Sequence, residues 1–187
     1  GTAGSQTAAV VNATGHTGKF TLDLDALTTT NNVSGEKWTG VDAVRIETAA
    51  ANTDANILTK IASGTEVIVG EIEAADNKLA VTPNGTATND TITVTLNDED
   101  KGGSIDLAEL KLEGFESITI NSTGTDSTSG FITTVVDNSI TSLLGLSSDA
   151  DLNVTGDKKL TATVEASFTD IDVTNTAGSD ITVASGG

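Results

Sequence analysis

Four carboxylates in one short stretch are the residues best placed to do chemistry. Asp98, Asp100, Asp106 and Glu109 stand in DEDKGGSIDLAE, residues 98–109. Set against a calcium-binding loop, Asp98, Asp100, Gly103, Ile105, Asp106 and Glu109 take the first, third, sixth, eighth, ninth and twelfth positions. Calcium is a hard cation that gathers several oxygens, and the glycine permits the sharp turn that converges them. Gly102 departs from the pattern at the fifth position, where an oxygen side chain is expected. A strand-like run, TITVTL, precedes the loop, so a helix–loop–helix hand is not expected. The spacing predicts bound calcium on the four acids. The alternative is a solvated acidic turn, because charge runs usually face water.

Three further acid pairs lie two residues apart, Asp23/Asp25, Asp149/Asp151 and Asp170/Asp172, and each pair shares one face of a strand. Glycoside hydrolysis also uses two carboxylates, and a sugar cleft is normally lined with aromatics. This chain has one tryptophan, Trp38, which aligns with Leu112 and so reads as core. His16 is the single histidine and sits in a glycine-rich turn, which predicts a surface residue. No GxSxG, HExxH or phosphate-loop motif is present. No catalytic residue and no organic cofactor are expected, and the chain is not read as an enzyme. Asn12, Asn32, Asn84, Asn89, Asn121 and Asn153 begin N-x-S/T patterns, which arise by chance where Asn, Ser and Thr are this common.

The elements that must position these residues are written twice. Residues 40–46, GVDAVRI, and 114–120, GFESITI, read alike: glycine, apolar, acid, small, β-branched, polar, isoleucine. Around them, KFTLD (19–23) matches TVTLN (93–97), and EVIVG (66–70) matches DLNVTG (151–156). DNKLAVT (76–82) matches DKKLTAT (157–163), and DTITV (90–94) matches DITV (180–183). The shared order along the chain marks a repeat protein. It divides into an N-terminal segment, 1–17, a first β repeat, 18–97, and a second, 98–187.

Within the repeats, Thr and Val favour strands while Gly, Asn and Asp favour turns. Apolar pairs recur at steps of roughly 20 residues, which suits the rungs of a β-helix or solenoid. The fold expected is all-β, solenoid-like strand repeats. Two tandem β-sandwich modules are the alternative. Short helical turns are expected at 52–62, from Ile57, Leu58 and Ile61, and at 138–146, from Ile140, Leu143 and Leu144.

Composition closes off other classes. The net charge of −18 disfavours nucleic acid, whose phosphates would be repelled, and suits divalent cations. No apolar run approaches the ~20 residues of a membrane helix. With no cysteine, neither a disulfide nor a thiolate zinc site can form. The alternation continues to the end of the chain, which argues against disorder.

GFESITINSTG, preceded by IDLAELKLE, resembles the strand-repeat regions of bacterial surface-layer proteins of the type I-secreted Gram-negative kind. The shared features are the G-(V/F)-(D/E)-x-(I/V)-x-I unit, the Thr/Ala/Asp/Asn bias, few aromatics and no cysteine. The resemblance implies an extracellular, cell-surface structural protein that self-assembles into a calcium-dependent layer or filament. The GGxGxDxUx nonapeptide is missing, so the calcium β-roll is not carried over. A calcium-dependent adhesin is the second expectation, and a carbohydrate-active enzyme the third. The strand-like ends, AAVV (8–11) and DITVASGG (180–187), predict homo-oligomers joined through terminal strands. A cell-surface polysaccharide is the other partner expected.

Overall fold

A computed structural model describes residues 10–24, 32–48, 56–72, 78–98, 103–129, 132–168 and 170–184. Nearly all of its regular structure is parallel β-sheet. A seven-stranded sheet runs, in spatial order, Ile171–Val173, Asp151–Gly156, Ser117–Ser122, Thr91–Leu96, Glu66–Ile72, Ala43–Thr48 and Thr21–Leu24. An eight-stranded sheet runs Ser179–Val183, Lys159–Val164, Asp137–Leu144, Glu109–Leu112, Lys78–Pro83, Asn56–Ile61 and Asn32–Ser34, with Asp106–Leu107 also paired to Asp137–Leu144. From Thr21 to Val183 the chain passes back and forth between the two sheets, apart from Trp38–Thr39, which pairs with Val11–Asn12, the consecutive strands Asp106–Leu107 and Glu109–Leu112 in the eight-stranded sheet, and a separate hairpin at Ser127–Ser129 and Ile132–Thr134.

Alternation within each strand explains this arrangement. In TITVTL, Ile92, Val94 and Leu96 are buried, while Thr91 and Thr93 lie on the opposite face. Parallel register then lines like residues up across the sheet. One column reads Leu22, Val44, Val67, Val94, Ile120, Val154, Val173. The second sheet carries Leu79, Leu110, Leu143, Val164, Val183. Buried residues of both sheets form one hydrophobic cluster. Each fully buried Val, Leu or Ile in it contributes about 1.5–3 kcal/mol before entropy is counted.

The parallel pairing replaces the antiparallel hairpins that the sandwich alternative requires. Among the described residues the one antiparallel pair is Ser127–Ser129 with Ile132–Thr134. Three of the four flanking matches, KFTLD/TVTLN, EVIVG/DLNVTG and DNKLAVT/DKKLTAT, fall in the same sheet as their counterparts. The fourth does not: DTITV lies in the seven-stranded sheet and DITV in the eight-stranded one.

Both expected helical turns are corrected to strands, and one cause serves for both. Asn56–Ile61 shifts register between Leu58 and Ile61, where Lys60 adopts φ 55°. Asp137–Leu144 shifts register between Ile140 and Leu143. A bulge adds one residue to a strand, so side chains three apart face the same way. Leu58 and Ile61 are both buried, and so are Ile140 and Leu143. Helical spacing at these two places is bulged-strand spacing. Residues 52–55 of the first segment lie outside the described residues.

The repeated unit has a definite job. Gly40 and Gly114 both take positive φ, 68° and 87°, and turn the chain into a strand. Next come an apolar residue and the acid. The Asp42 carboxylate accepts the Phe20 N–H at 2.7 Å, and the Asp42 N–H donates to the Phe20 carbonyl at 3.0 Å. Glu116 repeats both bonds on Asp90, at 2.7 and 2.9 Å. Each acid therefore grips a residue of the neighbouring strand's entry at two points.

A buried polar bridge joins the two sheets. Asn138, 1% exposed, accepts the Ile105 N–H at 2.8 Å and donates to Ser122 Oγ at 2.9 Å and the Thr123 carbonyl at 3.0 Å. Beside it Gly156 pairs with Ser122 at φ 111°, and a β-carbon there would stand 2.0 Å from the Ser122 carbonyl oxygen. Gly156→Ala is expected to cost about 2–5 kcal/mol from left-handed strain and overpacking together. Gly178→Ala, where φ is 84° and no atom lies within 4 Å, should cost only about 1–2 kcal/mol. Urea midpoints of the two variants would measure the difference; equal losses would mean that contact with Ser122 adds nothing.

Candidate functional site

The acidic stretch is the corner at which the chain crosses between sheets. Asp98 follows Thr91–Leu96 of the seven-stranded sheet, whereas Asp106 and Glu109 begin strands of the eight-stranded one. Asp98 is buried and its Oδ2 accepts the Gly103 N–H at 3.0 Å. Asp106 is exposed and accepts the Ser139 hydroxyl from the adjacent strand. Glu109 faces Lys78 Nζ at 3.5 Å. Asp100 lies outside the described residues. Among the described residues no three or more His, Cys, Asp or Glu are grouped so as to hold a metal ion.

The other acid pairs separate by place. Asp23, Asp170 and Asp172 are exposed on or beside edge strands of the seven-stranded sheet, and Asp25 lies outside the described residues. Asp149 and Asp151 instead line an open groove of about 530 Å³ with Thr88, Asn89, Thr91, Glu116, Ser117 and Ser147. Its floor is one outward column of the sheet, Thr91, Ser117 and Asp151. Hydroxyls, an amide and carboxylates give it many hydrogen-bond acceptors, and none of its lining residues is a cation or an aromatic. Glu116 reaches this wall through its grip on the Asp90 N–H. The sequence marked that acid as part of the repeat, but nothing in it announced the groove, which needs three strands in register.

His16 is exposed, and its ring meets Phe20 edge-on at 5.7 Å. Trp38 packs half-buried against the core rather than within it, and it lies in the two-stranded sheet with Val11, whereas its aligned counterpart Leu112 is fully buried in the eight-stranded sheet.

Surface charges pair within a strand, between neighbouring strands and between turns. Lys111 pairs with Glu113 at 2.9 Å, Lys159 with Asp180 at 2.7 Å and Lys158 with Asp126 at 2.8 Å. Glu66 is the most enclosed of the carboxylates that shift. Burial pushes its carboxyl up, but hydrogen bonds from Lys19 and Thr95 and the Lys19 charge outweigh this and hold it below the ordinary glutamate range. Hydrogen bonds from Lys60 to Glu36 and from Lys158 to Asp126 lower those carboxyls too.

Comparison of the chain with protein-family models, with curated proteins and with solved structures finds no match.

A carboxyl lowered on folding stabilises the fold above its unfolded pKa, and that contribution is lost as pH falls through the folded value. Glu66→Gln should therefore melt below the parent at neutral pH. The gap should close as pH drops below the ordinary glutamate value of about 4.3. Melting temperatures of both proteins across the acid range would check this; a gap that persists unchanged at the acid end would assign it to something other than the charge.

Proposed function

We propose that this chain is a β-solenoid segment of an extracellular structural protein that self-assembles into a bacterial surface layer or filament. The observation that supports it most is the pairing left open at the ends of both sheets. Among the described residues, Ile171–Val173 and Ser179–Val183 have a strand partner on one side only. Val173 and Val183 are 47% and 45% exposed, at the ends of columns whose neighbours are buried. An edge with free N–H and C=O groups beside half-covered valines is a template for another strand, and stacked repeats extend in this way. At the other end of the two sheets Thr21–Leu24 and Asn32–Ser34 likewise have one strand partner among the described residues, and in the separate two-stranded sheet Val11 pairs with Trp38 beside Val10, 74% exposed.

Calcium on Asp98, Asp100, Asp106 and Glu109 belongs to the same proposal. Glu109 would exchange Lys78 for the ion, and the charge gained would offset self-repulsion in a chain of net −18. The reading places the protein at the cell surface and gives it no catalytic role. A binding module, or adhesin, is the second reading. The groove floored by Thr91, Ser117 and Asp151 favours it, and a neutral cell-surface polysaccharide would suit its hydroxyls and carboxylates.

Deleting residues 177–187 should abolish ordered assemblies in negative-stain micrographs, while the circular dichroism of the strands largely survives. Val173→Lys with Val183→Lys makes the same test with the backbone ladder intact. Assembly of both variants at the parent's level would sink the proposed joint. A monomer that binds polysaccharide would favour the second reading.

For calcium, Asp98→Ala with Asp100→Ala should lower the melting temperature somewhat even without the ion, because the Gly103 N–H loses its acceptor, and should abolish the further rise that calcium gives the parent. An unchanged calcium response in that double variant would remove the site.

A further inference from the structure

We propose that Asn84 is a site of spontaneous covalent modification, in which its side-chain amide closes on the backbone nitrogen of Gly85 and then opens to aspartate and isoaspartate. Asn84 is the one asparagine of the chain that is followed by glycine. Ring closure brings the next residue's backbone nitrogen onto Cγ, and a β-carbon on that residue hinders the approach. Glycine has none.

The turn supplies the other requirements. Asn84 follows the strand Lys78–Pro83, and residues 84–89 are all exposed. Gly85 sits at φ 116°, with no atom within 4 Å of where a β-carbon would project, so the turn is open on that side and no packed neighbour covers it there. The Asn84 N–H donates to the Ile61 carbonyl at 2.8 Å, but that nitrogen takes no part in the ring. Other asparagines are held differently. Asn138 is buried and bonded at both ends of its amide. Asn121 lies in a ladder between Thr95 and Thr155. Asn12 and Asn175 each accept the N–H two residues on.

The step balances without a co-reactant other than water. The Gly85 nitrogen loses its proton and bonds to Cγ, and the amide nitrogen leaves as ammonia. Water adds to either carbonyl of the resulting five-membered imide. Opening on one side restores the main chain with aspartate; opening on the other routes it through Cβ as isoaspartate. A negative charge and, in the second product, an extra main-chain methylene enter between Pro83 and the groove wall at Thr88 and Asn89. Pro83 lies close to Gly114, whose β-carbon would come within 3.3 Å of it, so the changed corner borders the repeated unit.

The test is to age the folded, full-length protein in mildly alkaline buffer and map its peptides by mass spectrometry. Trypsin releases residues 79–101 as one peptide, which holds Asn84 together with Asn89 and Asn97 as internal comparisons. The expected result is a gain of about 1 Da at Asn84, several-fold faster than at the other two, split between aspartate and isoaspartate. Gly85→Ala should slow it several-fold, and Asn84→Gln should abolish it without disturbing the strands. A gain at Asn84 no faster than at Asn89 and Asn97 would overturn the proposal. So would a gain that appears only in a urea-unfolded sample, because the turn would then be protecting the residue.

Discussion

Backbone pairing between residues far apart in sequence is the constraint on which everything else here rests. Each strand of the two large sheets satisfies its N–H and C=O groups on a strand one full pass away, as Thr91–Leu96 does on Ser117–Ser122. Parallel pairing cannot be closed by a two-residue turn, so the chain must travel between successive strands of one sheet. It spends that length on a strand of the other sheet. Side chains facing inward from both sheets then meet in one core, and those facing outward are left to hydroxyls, amides and ion pairs. The acid grips of Asp42 and Glu116 strengthen the same ladder at the point where a strand begins.

Electrostatics follows this layout. With 27 acids against 9 lysines and arginines, the chain cannot neutralise itself, and its cations serve individual strands. Lys78, Lys111 and Lys159 lie on strands of the eight-stranded sheet and face acids on the same or adjacent strands. Exposed pairs of this kind contribute little singly, about 0–1 kcal/mol each. Like-charged residues stacked in a column would repel, and these lysines relieve that repulsion. The outer face of the other sheet uses neutral ladders more, as where Thr155 donates to Asn121 and Asn121 to Thr95.

How much of this could be read beforehand depended on how local the cause was. TITVTL and KLAVT alternate with period two, and their inward residues were evident. Three of the four matched strand pairs occupy the same sheet, and the fourth does not. Ile57/Leu58/Ile61 and Ile140/Leu143/Leu144 misled because a bulge in a strand and a turn of helix place apolar residues at the same spacing. Only the partner strand decides between them. The acidic corner was legible as a cluster in sequence, but the crossover sends Asp98 to one sheet and Asp106 and Glu109 to the other. The groove beside Asp149 and Asp151 was not legible, since its floor is drawn from three strands about thirty residues apart.

The passes differ greatly in length, from 19 residues between Asn153 and Asp172 to 34 between Thr119 and Asn153. The longer pass contains the Ser127–Ser129 and Ile132–Thr134 hairpin, which pairs with neither large sheet. Yet six consecutive residue pairs join Ser117–Ser122 to Asp151–Gly156 without a shift. Chain length is thus decoupled from register. Residues can be gained or lost at such a corner while every buried side chain keeps its neighbours, so the corners can diverge freely while the columns stay constant. A scaffold with that property can carry new surface segments as outgrowths, one per pass, at the repeat distance set by the backbone.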